Sequence, residues 1–381
     1  MQDIRRGWAA VVAMFALNGV FLGVWASRVP AVAERYGLSP GGLGLVLLAI
    51  GLGAIVSFPL AGRLADKRGA ARVTLWLALG HVAAMGPVAL APNVWALVPA
   101  LFAFGAMQGG MDVTMNAWAG EVEKASGRPI MSVFHGLWSL GAATGAATGF
   151  GAVSLGIGIT PHFIAVSLLA AVPALLIARG AWVSQTHAAD GSEPVFVFPK
   201  GALLVVGAVA LAAALGEGSV ADWGALFLVR VAGAGEASAA LGYTVFALAM
   251  VTVRVSGGGV VGALGPVRTT RIAGLLAATG AGLAVAVASY PVALAGFVLM
   301  GAGYALVIPL AFSRAANDPF VKPGRAIASV ATLGYGGVLL GPPIIGFVAE
   351  ATSVRFSFGV VAALALVISV FAHALQPSVE G

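Results

Sequence analysis

The sequence predicts an all-α membrane protein with twelve transmembrane helices in two pseudo-symmetric halves of six. Three observations predict this fold: an apolar composition, long apolar runs along the whole chain, and basic residues concentrated at alternate ends of those runs. Of the 381 residues, 60% are hydrophobic and 9% are charged, and the mean hydropathy is +1.01. Average soluble domains carry roughly 25% charged residues, so the composition favours a chain whose solvent is a lipid bilayer.

Twelve apolar runs are long enough to cross a bilayer as helices, which takes about 17 to 25 residues each. They lie at 7–28, 41–61, 72–91, 94–118, 130–156, 160–180, 201–229, 237–261, 272–289, 291–315, 326–349 and 353–375. The longest polar stretch between runs, 183–200, follows the sixth. We therefore predict an N-terminal bundle over 1–182, a cytoplasmic linker over 183–200 and a C-terminal bundle over 201–381.

The first run follows two arginines, as the apolar part of a secretion signal does. It extends from Gly7 to Ser27, whereas the apolar part of a signal peptide spans about 7 to 15 residues. We therefore expect this segment to be retained as the first transmembrane helix.

The basic residues predict the orientation of the helices. If the N-terminus is cytoplasmic, only four of the 20 Lys and Arg fall on the outer side: Arg28, Arg35, Arg230 and Arg355. Cytoplasmic loops of membrane proteins carry an excess of Lys and Arg. The pattern predicts a multi-pass protein of the bacterial inner membrane with both termini cytoplasmic.

Several classes of function are disfavoured by what the sequence lacks. The net charge of +6 does not indicate nucleic-acid binding, because the basic residues form no aromatic-interleaved patch. There is no Cys, and the five His are scattered, so we expect no metal site and no cofactor. Neither a nucleophile–base pair nor a phosphate-binding loop is recognisable, so we expect no enzyme. A solute sensor would need an output domain, which the sequence does not show.

The segment GRLADKRGAAR at 62–72 joins the second and third runs. Its first eight residues resemble the signature loop of the major facilitator superfamily, although AA replaces the two basic residues that continue the family's pattern. The resemblance implies secondary transport by a monomer, and a gating role for Gly62, Asp66, Lys67, Gly69 and Arg72. If the two halves are parallel repeats, a copy of this loop is expected between the eighth and ninth runs. The matching segment, 254–271, contains no acid.

Two windows, 111–142 and 216–230, resemble the fucose-permease-like branch of that superfamily and its bacterial relatives. In that branch an acid on the fourth helix, followed four residues later by Asn, lies in the central cavity; Asp112 and Asn116 match this pattern. The branch's second acid, late in the first helix, is absent here, because Ala26 stands at that position. Fucose and a pair of proton-carrying acids are therefore not implied.

An acid in the fourth run is the most informative single residue. Placing Asp112 at membrane depth costs about 2.5 to 3.5 kcal/mol, and removal from water disfavours its charged form. Gln108, Asp112 and Asn116 share one helix face at four-residue spacing, over about 12 Å. We interpret this stripe as lining a solute passage in which Asp112 carries a proton. The alternative is an interhelical hydrogen-bond seam without a role in transport.

The fifth run carries a second polar stripe. Ser132, His135 and Ser139 follow helical spacing, with Trp138 beside them. Imidazole titrates near neutral pH, so His135 is a candidate to share a proton with Asp112. A neutral His packed between helices is the alternative, and we interpret the lone His81 of the third run as structural.

The seventh run contributes two acids. Glu217 lies near the middle of the run and is a candidate for proton handling or solute binding. Asp222 lies nearer the outer side, where it is expected to pair with Arg28 as an outer gate or a structural clamp. The candidate solute-binding residues are Gln108, Asn116, Trp138, Ser139, Asn18, Trp25 and Tyr335; Trp25 also suits an interfacial anchor.

Glycines at four-residue spacing predict close helix contacts. Gly141, Gly145 and Gly149 form such a ridge in the fifth run, and Gly337 and Gly341 form one in the eleventh. They fit either a sliding surface or static packing.

Together these features predict a secondary transporter for a small polar, sugar-like solute, working by proton symport through Asp112, with Glu217 and His135 as further proton-coupling candidates. Its expected partners are the solute and the lipid bilayer, with protons as the coupling ion. The alternative is a proton-coupled exporter of metabolites or drugs. Drug efflux is disfavoured because the fourth run has no buried Arg and the fifth has no Gly-Pro pair, both of which many proton–drug antiporters carry.

Overall fold

The protein is described by a computed structural model that covers residues 3–128, 130–186 and 197–376. All regular structure in these residues is helical. The α-helices are α1 Ile4–Ser27, α2 Val29–Arg35, α3 Pro40–Arg68, α4 Ala70–Leu90, α5 Val94–Ser126, α6 Met131–Ser154, α7 Ile159–Ala178, α8 Ala202–Arg230, α9 Glu236–Val287, α10 Tyr290–Tyr304, α11 Val307–Ala316, α12 Pro323–Ala351 and α13 Val354–Val370. A 3-10 helix at Phe371–Leu375 follows.

Ten helices among the described residues are long and apolar enough to cross a membrane, with α10 and α11 counted as one crossing. One of the ten, α9, has 52 residues, or about 78 Å, which is far longer than the ~30 Å hydrocarbon core. Its path breaks at Gly265, where φ is 73° and ψ is 163°, so α9 provides two crossings. The 24-residue α6 completes the predicted twelve, and the all-α membrane fold is confirmed.

The connection between the eighth and ninth crossings differs from the prediction. The predicted copy of the signature loop at 254–271 overlaps the eighth run at 237–261, and α9 continues through this overlap and leaves the helical region only at Gly265. Arg254 therefore lies inside a helix, about 16 Å before the break at 1.5 Å per residue. The Gly-rich composition of this stretch suggested a loop, but glycine lowers helix propensity without preventing a helix, and within a bilayer the backbone hydrogen bonds must be made inside the segment.

The predicted loop at 62–72 is almost entirely helical. Since α3 ends at Arg68 and α4 begins at Ala70, only Gly69 makes the turn, with φ 88° and ψ 134°. A side chain would strain this backbone and would lie 3.1 Å from Cβ of Ser184. Gly62, which the resemblance gives a gating role, lies within α3 with open space around it and takes no part in the turn.

The glycine ridges lie in close helix contacts, as predicted. In the first such contact, Gly141 and Gly145 of α6 lie directly against the backbone carbonyls of Ala16 and Val20 in α1. Two glycines of α1 make the reciprocal contact with the backbone of α6: Gly19 and Gly23. In the second close contact, between α12 and α8, a Cβ added to Gly337 would lie 2.6 Å from the backbone carbonyl oxygen of Leu211. The first and fifth crossings thus pack as the seventh and eleventh do, in line with a parallel repeat.

The described residues form two compact units. The first runs to Leu38, continues from Leu45 to 186 and includes Glu236–Thr244. The second combines Ser39–Gly44 with 197–235 and the residues from Val245 to 376. The start of α3 thus belongs to the second unit, although the rest of α3 belongs to the first. The start of α9 belongs to the first unit, although the rest of α9 belongs to the second. The domain boundaries given above stay a prediction, and residues 187–196 of the predicted linker lie outside the described residues.

A carboxylate supports the connection from α5 to α6. Oε2 of Glu123 accepts hydrogen bonds from the backbone N–H groups of Ile130 at 2.7 Å and Met131 at 2.6 Å. Losing such an acceptor at a helix start costs about 0.5 to 2 kcal/mol. We expect Glu123→Ala to lower the apparent melting temperature of the detergent-purified protein, and Glu123→Gln, which keeps an acceptor oxygen, to lower it less.

The matched control is Glu34→Ala, since Glu34 is exposed on α2 and its side chain has no ion-pair partner within the described part of the chain. Equal melting temperatures for Glu123→Ala and Glu34→Ala would show that the cap does not stabilise the fold.

Candidate functional site

A hydrogen-bonded polar cluster joins α1, α5 and α6 in the first unit. Oδ1 of Asn18 accepts from Nε2 of Gln108 at 2.7 Å and from Nε1 of Trp138 at 2.8 Å. Nδ2 of Asn18 donates to the backbone oxygen of Gln108 at 3.2 Å. The Asn18 side chain is buried, whereas Gln108 and Trp138 are partly exposed. Three predicted solute-binding residues from separate helices are therefore assembled around one amide.

One helical turn from Gln108, Asp112 presents a carboxyl group with a neutral partner. Nδ2 of Asn116 donates to Oδ1 of Asp112 at 3.2 Å and to its backbone oxygen at 2.8 Å. Both side chains are partly exposed. Among the residues that the structure describes, no Lys, Arg or His lies within 4.0 Å of the Asp112 carboxylate. This acid is positioned by an amide and is not neutralised by an ion pair.

The polar stripe of α6 is divided between different environments. Ser132 is exposed, whereas Ser139 is buried and its hydroxyl donates to the backbone oxygen of His135 at 3.1 Å. The ring of His135 packs edge-on against Phe15, with centroids 5.3 Å apart. Proton sharing between His135 and Asp112 stays a prediction.

Aromatic packing encloses two other residues of interest in the first unit. His81 is fully buried between Phe21 and Phe104, whose ring centroids lie 4.3 and 4.7 Å from its own. This agrees with the structural interpretation of His81. Trp25 is also buried and lies 6.2 Å from Phe104, so a solute would contact Trp25 only if this packing opened.

The second unit holds an ion pair that the sequence analysis missed. Nη2 of Arg254 in α9 lies 3.8 Å from Oε1 of Glu217 in α8. Nε of Arg254 also donates to the backbone oxygen of Ala305 at 3.3 Å. The sequence does show an arginine between Val253 and Val255 in the eighth apolar run, which indicates a charge inside a helix. The predicted loop copy at 254–271 drew attention away from that indication.

Tyr304 lies beside this pair. Its side chain is buried, and its hydroxyl has no hydrogen-bond partner within the described ranges. A Cβ at Gly216, the residue before Glu217, would fall onto the Tyr304 hydroxyl. The predicted solute-binding Tyr335 lies on α12 and is partly exposed.

Arg28, the cation of the predicted outer ion pair, has a different acid as its partner. Nε of Arg28 lies 3.7 Å from Oε1 of Glu236, and the Arg28 side chain is only 5% exposed. The expected pairing of Arg28 with Asp222 is wrong, because the start of α9 belongs to the same compact unit as Arg28 and supplies the carboxylate. Asp222 is partly exposed on α8 and has no ion-pair or hydrogen-bond partner in the part of the chain described.

The charged residues at the junction of α3 and α4 are exposed: Asp66, Lys67 and Arg72. The structure shows no ion pair of Asp66 with another described residue. Gly69 and the Ser184 hydroxyl, which accepts from the Ala71 N–H at 2.9 Å, define the local geometry. The gating role of this junction stays a prediction.

The Asn18 cluster makes a testable contribution to stability. In Asn18→Leu, the side-chain N–H groups of Gln108 and Trp138 lose their common acceptor; an unsatisfied donor costs about 1 to 3 kcal/mol when it is fully buried, and these partly buried donors fall towards the lower end. We expect a clear fall in the apparent melting temperature, and a smaller further loss when Trp138→Phe is added than Trp138→Phe causes alone. Thr144→Val is the control, since the Thr144 hydroxyl is exposed and bonds only within its own helix. Additive effects of the two cluster substitutions would contradict the shared acceptor.

Comparisons with known proteins give a consistent result. A model of the Major Facilitator Superfamily matches residues 8–319. An uncharacterised transporter of Sinorhizobium fredii is 43% identical over 378 residues, which cover 99% of this chain and 100% of that protein. An uncharacterised MFS-type transporter of Yersinia pestis is 37% identical over 364 residues, which cover 95% and 94% of the two chains.

Among solved structures, the nucleoside transporter NupG superimposes with a TM-score of 0.75 at 12% identity, covering 97% of this chain and 99% of that one. At this level of identity the likeness shows the fold alone. The narrower resemblance to the fucose-permease-like branch stays a prediction.

Proposed function

Since the chain belongs to the Major Facilitator Superfamily and is a membrane transporter, we propose that it imports a small polar, sugar-like solute together with protons. The transport proceeds by alternating access, in which the protein opens in turn to either side of the bilayer. We further propose that it acts as a monomer in the bacterial inner membrane, with both termini cytoplasmic and protons as the coupling ion.

The observation that carries this proposal is the environment of Asp112. A carboxylate within a transmembrane helix costs free energy to bury, and no described cation offsets that cost here. Taking up a proton removes the charge, and the side chain of Asp112 is not fully enclosed. A group that is neutral in one state and charged in another can bias the conformational equilibrium of a carrier.

Glu217 is less suited to this role. Its carboxylate is already paired with an arginine 3.8 Å away, whereas Asp112 has no cation partner among the described residues. We therefore assign proton coupling to Asp112, with His135 as a candidate to exchange the proton with it. The Asn18 cluster, one turn away, supplies amide and indole groups that suit hydroxyl-bearing solutes.

Proteoliposomes containing the purified protein and an internal pH indicator test the proposal. Sugars, sugar acids and small metabolites are added outside one at a time, and uptake of each labelled solute is recorded in parallel. For a transported solute we expect internal acidification, because solute and protons enter together, and none in protein-free liposomes. Internal alkalinisation during uptake would identify the exporter, and uptake with no proton movement would refute proton coupling.

A further inference from the structure

We propose that Arg254 binds a carboxylate group of the transported solute, and that Glu217 is the built-in anion that this carboxylate displaces. The inference deepens the proposed function and rests on it, because it assumes that the chain carries a small organic solute. It assigns to the second unit an anion-binding half-site formed by α8, α9 and the break between α10 and α11. The solute class it names is a small polar organic acid.

The first argument is the cost of the arginine. Arg254 is flanked by valines inside α9, 18 residues after the helix begins at Glu236. A cation within a transmembrane helix costs about 2.5 to 3.5 kcal/mol on insertion scales, and such residues usually face a water-filled cavity and mark a solute or ion pathway. The Arg254 side chain is 12% exposed and that of Glu217 is 18% exposed, so neither side chain is fully enclosed.

The second argument is how the guanidinium is held. Between α10 and α11 the helix is interrupted at Ala305 and Leu306, and the Ala305 carbonyl accepts the hydrogen bond from Nε of Arg254 at 3.3 Å. The contact is close, since a Cβ at Gly257 would lie 2.6 Å from Cδ2 of Leu306. Interrupted helices that line solute sites are a recurring feature of secondary transporters. Fixing Nε in this way directs the Nη groups towards Glu217.

The third argument is the geometry of the ion pair. Charge-assisted hydrogen bonds between guanidinium and carboxylate groups are normally about 2.7 to 2.9 Å long and often bidentate. The Nη2–Oε1 distance here is 3.8 Å, so the two charges attract each other without a tight bond. Such a pair balances the charge of the arginine, and a solute carboxylate held at hydrogen-bond distance would compete with Glu217 for it. Arginine suits this exchange because its planar fork matches carboxylate geometry.

A hydroxyl group completes the half-site. The Tyr304 hydroxyl is buried, lies against Gly216 and has no hydrogen-bond partner among the described residues. A buried polar group left unpaired costs free energy, and a solute oxygen held by Arg254 would give it an acceptor once the packing around Tyr304 opens. The half-site therefore offers one cation, one removable anion and one neutral donor.

The test measures ligand binding to the full-length protein in detergent by the shift in melting temperature. The probes are uronates, aldonates and short dicarboxylates, each paired with the neutral compound in which a hydroxymethyl or amide group replaces the carboxylate. We expect carboxylates to stabilise the wild type and their neutral partners to do so at least about tenfold more weakly. In Arg254→Gln the affinity for the carboxylates should fall about 10- to 100-fold, the range for a charged hydrogen bond.

Glu217→Gln gives the opposite expectation. It removes the competing anion, so the carboxylates should bind more tightly than to the wild type. The double variant with Gln at both positions, which buries no unpaired charge, should lose the preference for acids while remaining folded. Arg230→Gln, a change at an exposed cation on the same helix as Glu217, should leave the preference unchanged.

Three results would overturn the inference: no stabilisation by any carboxylate, retention of the acid preference in the double variant, or weaker carboxylate binding by Glu217→Gln. The last of these would identify the pair as a purely structural ion pair. The proposed function fails separately. Acid binding through Arg254 without proton-linked uptake would refute proton coupling but support the anion-binding half-site. Proton-linked uptake of neutral solutes alone would support proton coupling but refute the half-site.

Discussion

Asp112→Asn is expected to abolish concentrative uptake while leaving solute exchange intact. With one proton per solute, a pH gradient of about one unit supports about tenfold accumulation, and this variant should bring the internal solute only to the external concentration. The physical reason is that an amide side chain cannot take up and release a proton at physiological pH. Exchange of labelled for unlabelled solute requires only binding and reorientation, so its rate should stay within about threefold of wild type.

Asparagine is the informative replacement because Asp112 acts as the acceptor in its hydrogen bond with Asn116, and an asparagine side chain also carries an acceptor oxygen. Nδ2 of Asn116 donates to Oδ1 of Asp112 at 3.2 Å, and the amide oxygen of the variant can accept the same bond. The local geometry is therefore retained while the titratable group is lost. Accumulation and exchange are both measured in proteoliposomes, with an imposed pH gradient for the first and equal solute on both sides for the second.

The control is Glu34→Gln, which also removes one carboxylate but on the exposed surface of α2. It should accumulate solute as the wild type does. Accumulation by Asp112→Asn against a solute gradient would place the coupling proton elsewhere, and loss of exchange would show that Asp112 is needed for binding or reorientation instead.

Gly145→Val should prevent stable folding, or lower the apparent melting temperature by far more than the other substitutions considered. A Cβ at this position would fall onto the backbone carbonyl of Val20 in α1, and backbone cannot move aside as a flexible side chain can. Overpacking in well-packed interiors typically costs 1 to 3 kcal/mol. The cost here should reach or exceed about 3 kcal/mol, because the whole α1–α6 contact depends on small residues.

Gly151→Val in the same helix is the matched control, since a Cβ there meets nothing within 4 Å. The two variants introduce the same side chain into α6 and differ only in what faces it. The measurement is the yield of monodisperse protein together with its melting temperature. Similar values for both variants would show that the close approach of α1 and α6 is not needed for the fold.

The architecture was predictable because hydropathy and charge report directly on the bilayer. Twelve apolar runs were enough to predict the crossings, and the glycine ridges predicted which helices approach closely. The ends of the helices were not predictable to the same degree. The junction at Gly69 was expected to be a loop of eleven residues, yet one residue in the left-handed region makes the turn, because helices continue beyond the apolar core into the charged surface.

The candidate site was only partly predictable. Helical spacing indicated the stripe of Gln108, Asp112 and Asn116, and the structure keeps these residues on one helix. Which residues of other helices meet that stripe depends on tertiary packing, so the hydrogen bonds of Asn18 to Gln108 and Trp138 had no local signature. Arg254 falls where the eighth run at 237–261 overlaps the predicted loop copy at 254–271, and its pairing with Glu217 depends on α9 being helical through Arg254.

The grouping of Glu236–Thr244 with the first unit has a consequence for cutting the gene in two. A fragment ending in the linker would lack the peptide that supplies Glu236, leaving the enclosed guanidinium of Arg28 without its counter-charge. The same truncation would remove the Thr244 hydroxyl, which donates to the carbonyl oxygen of Ala143 at 3.4 Å. The N-terminal half of this transporter is thus incomplete without the start of α9, so a fragment extended through Thr244 should be more stable than one ending in the linker.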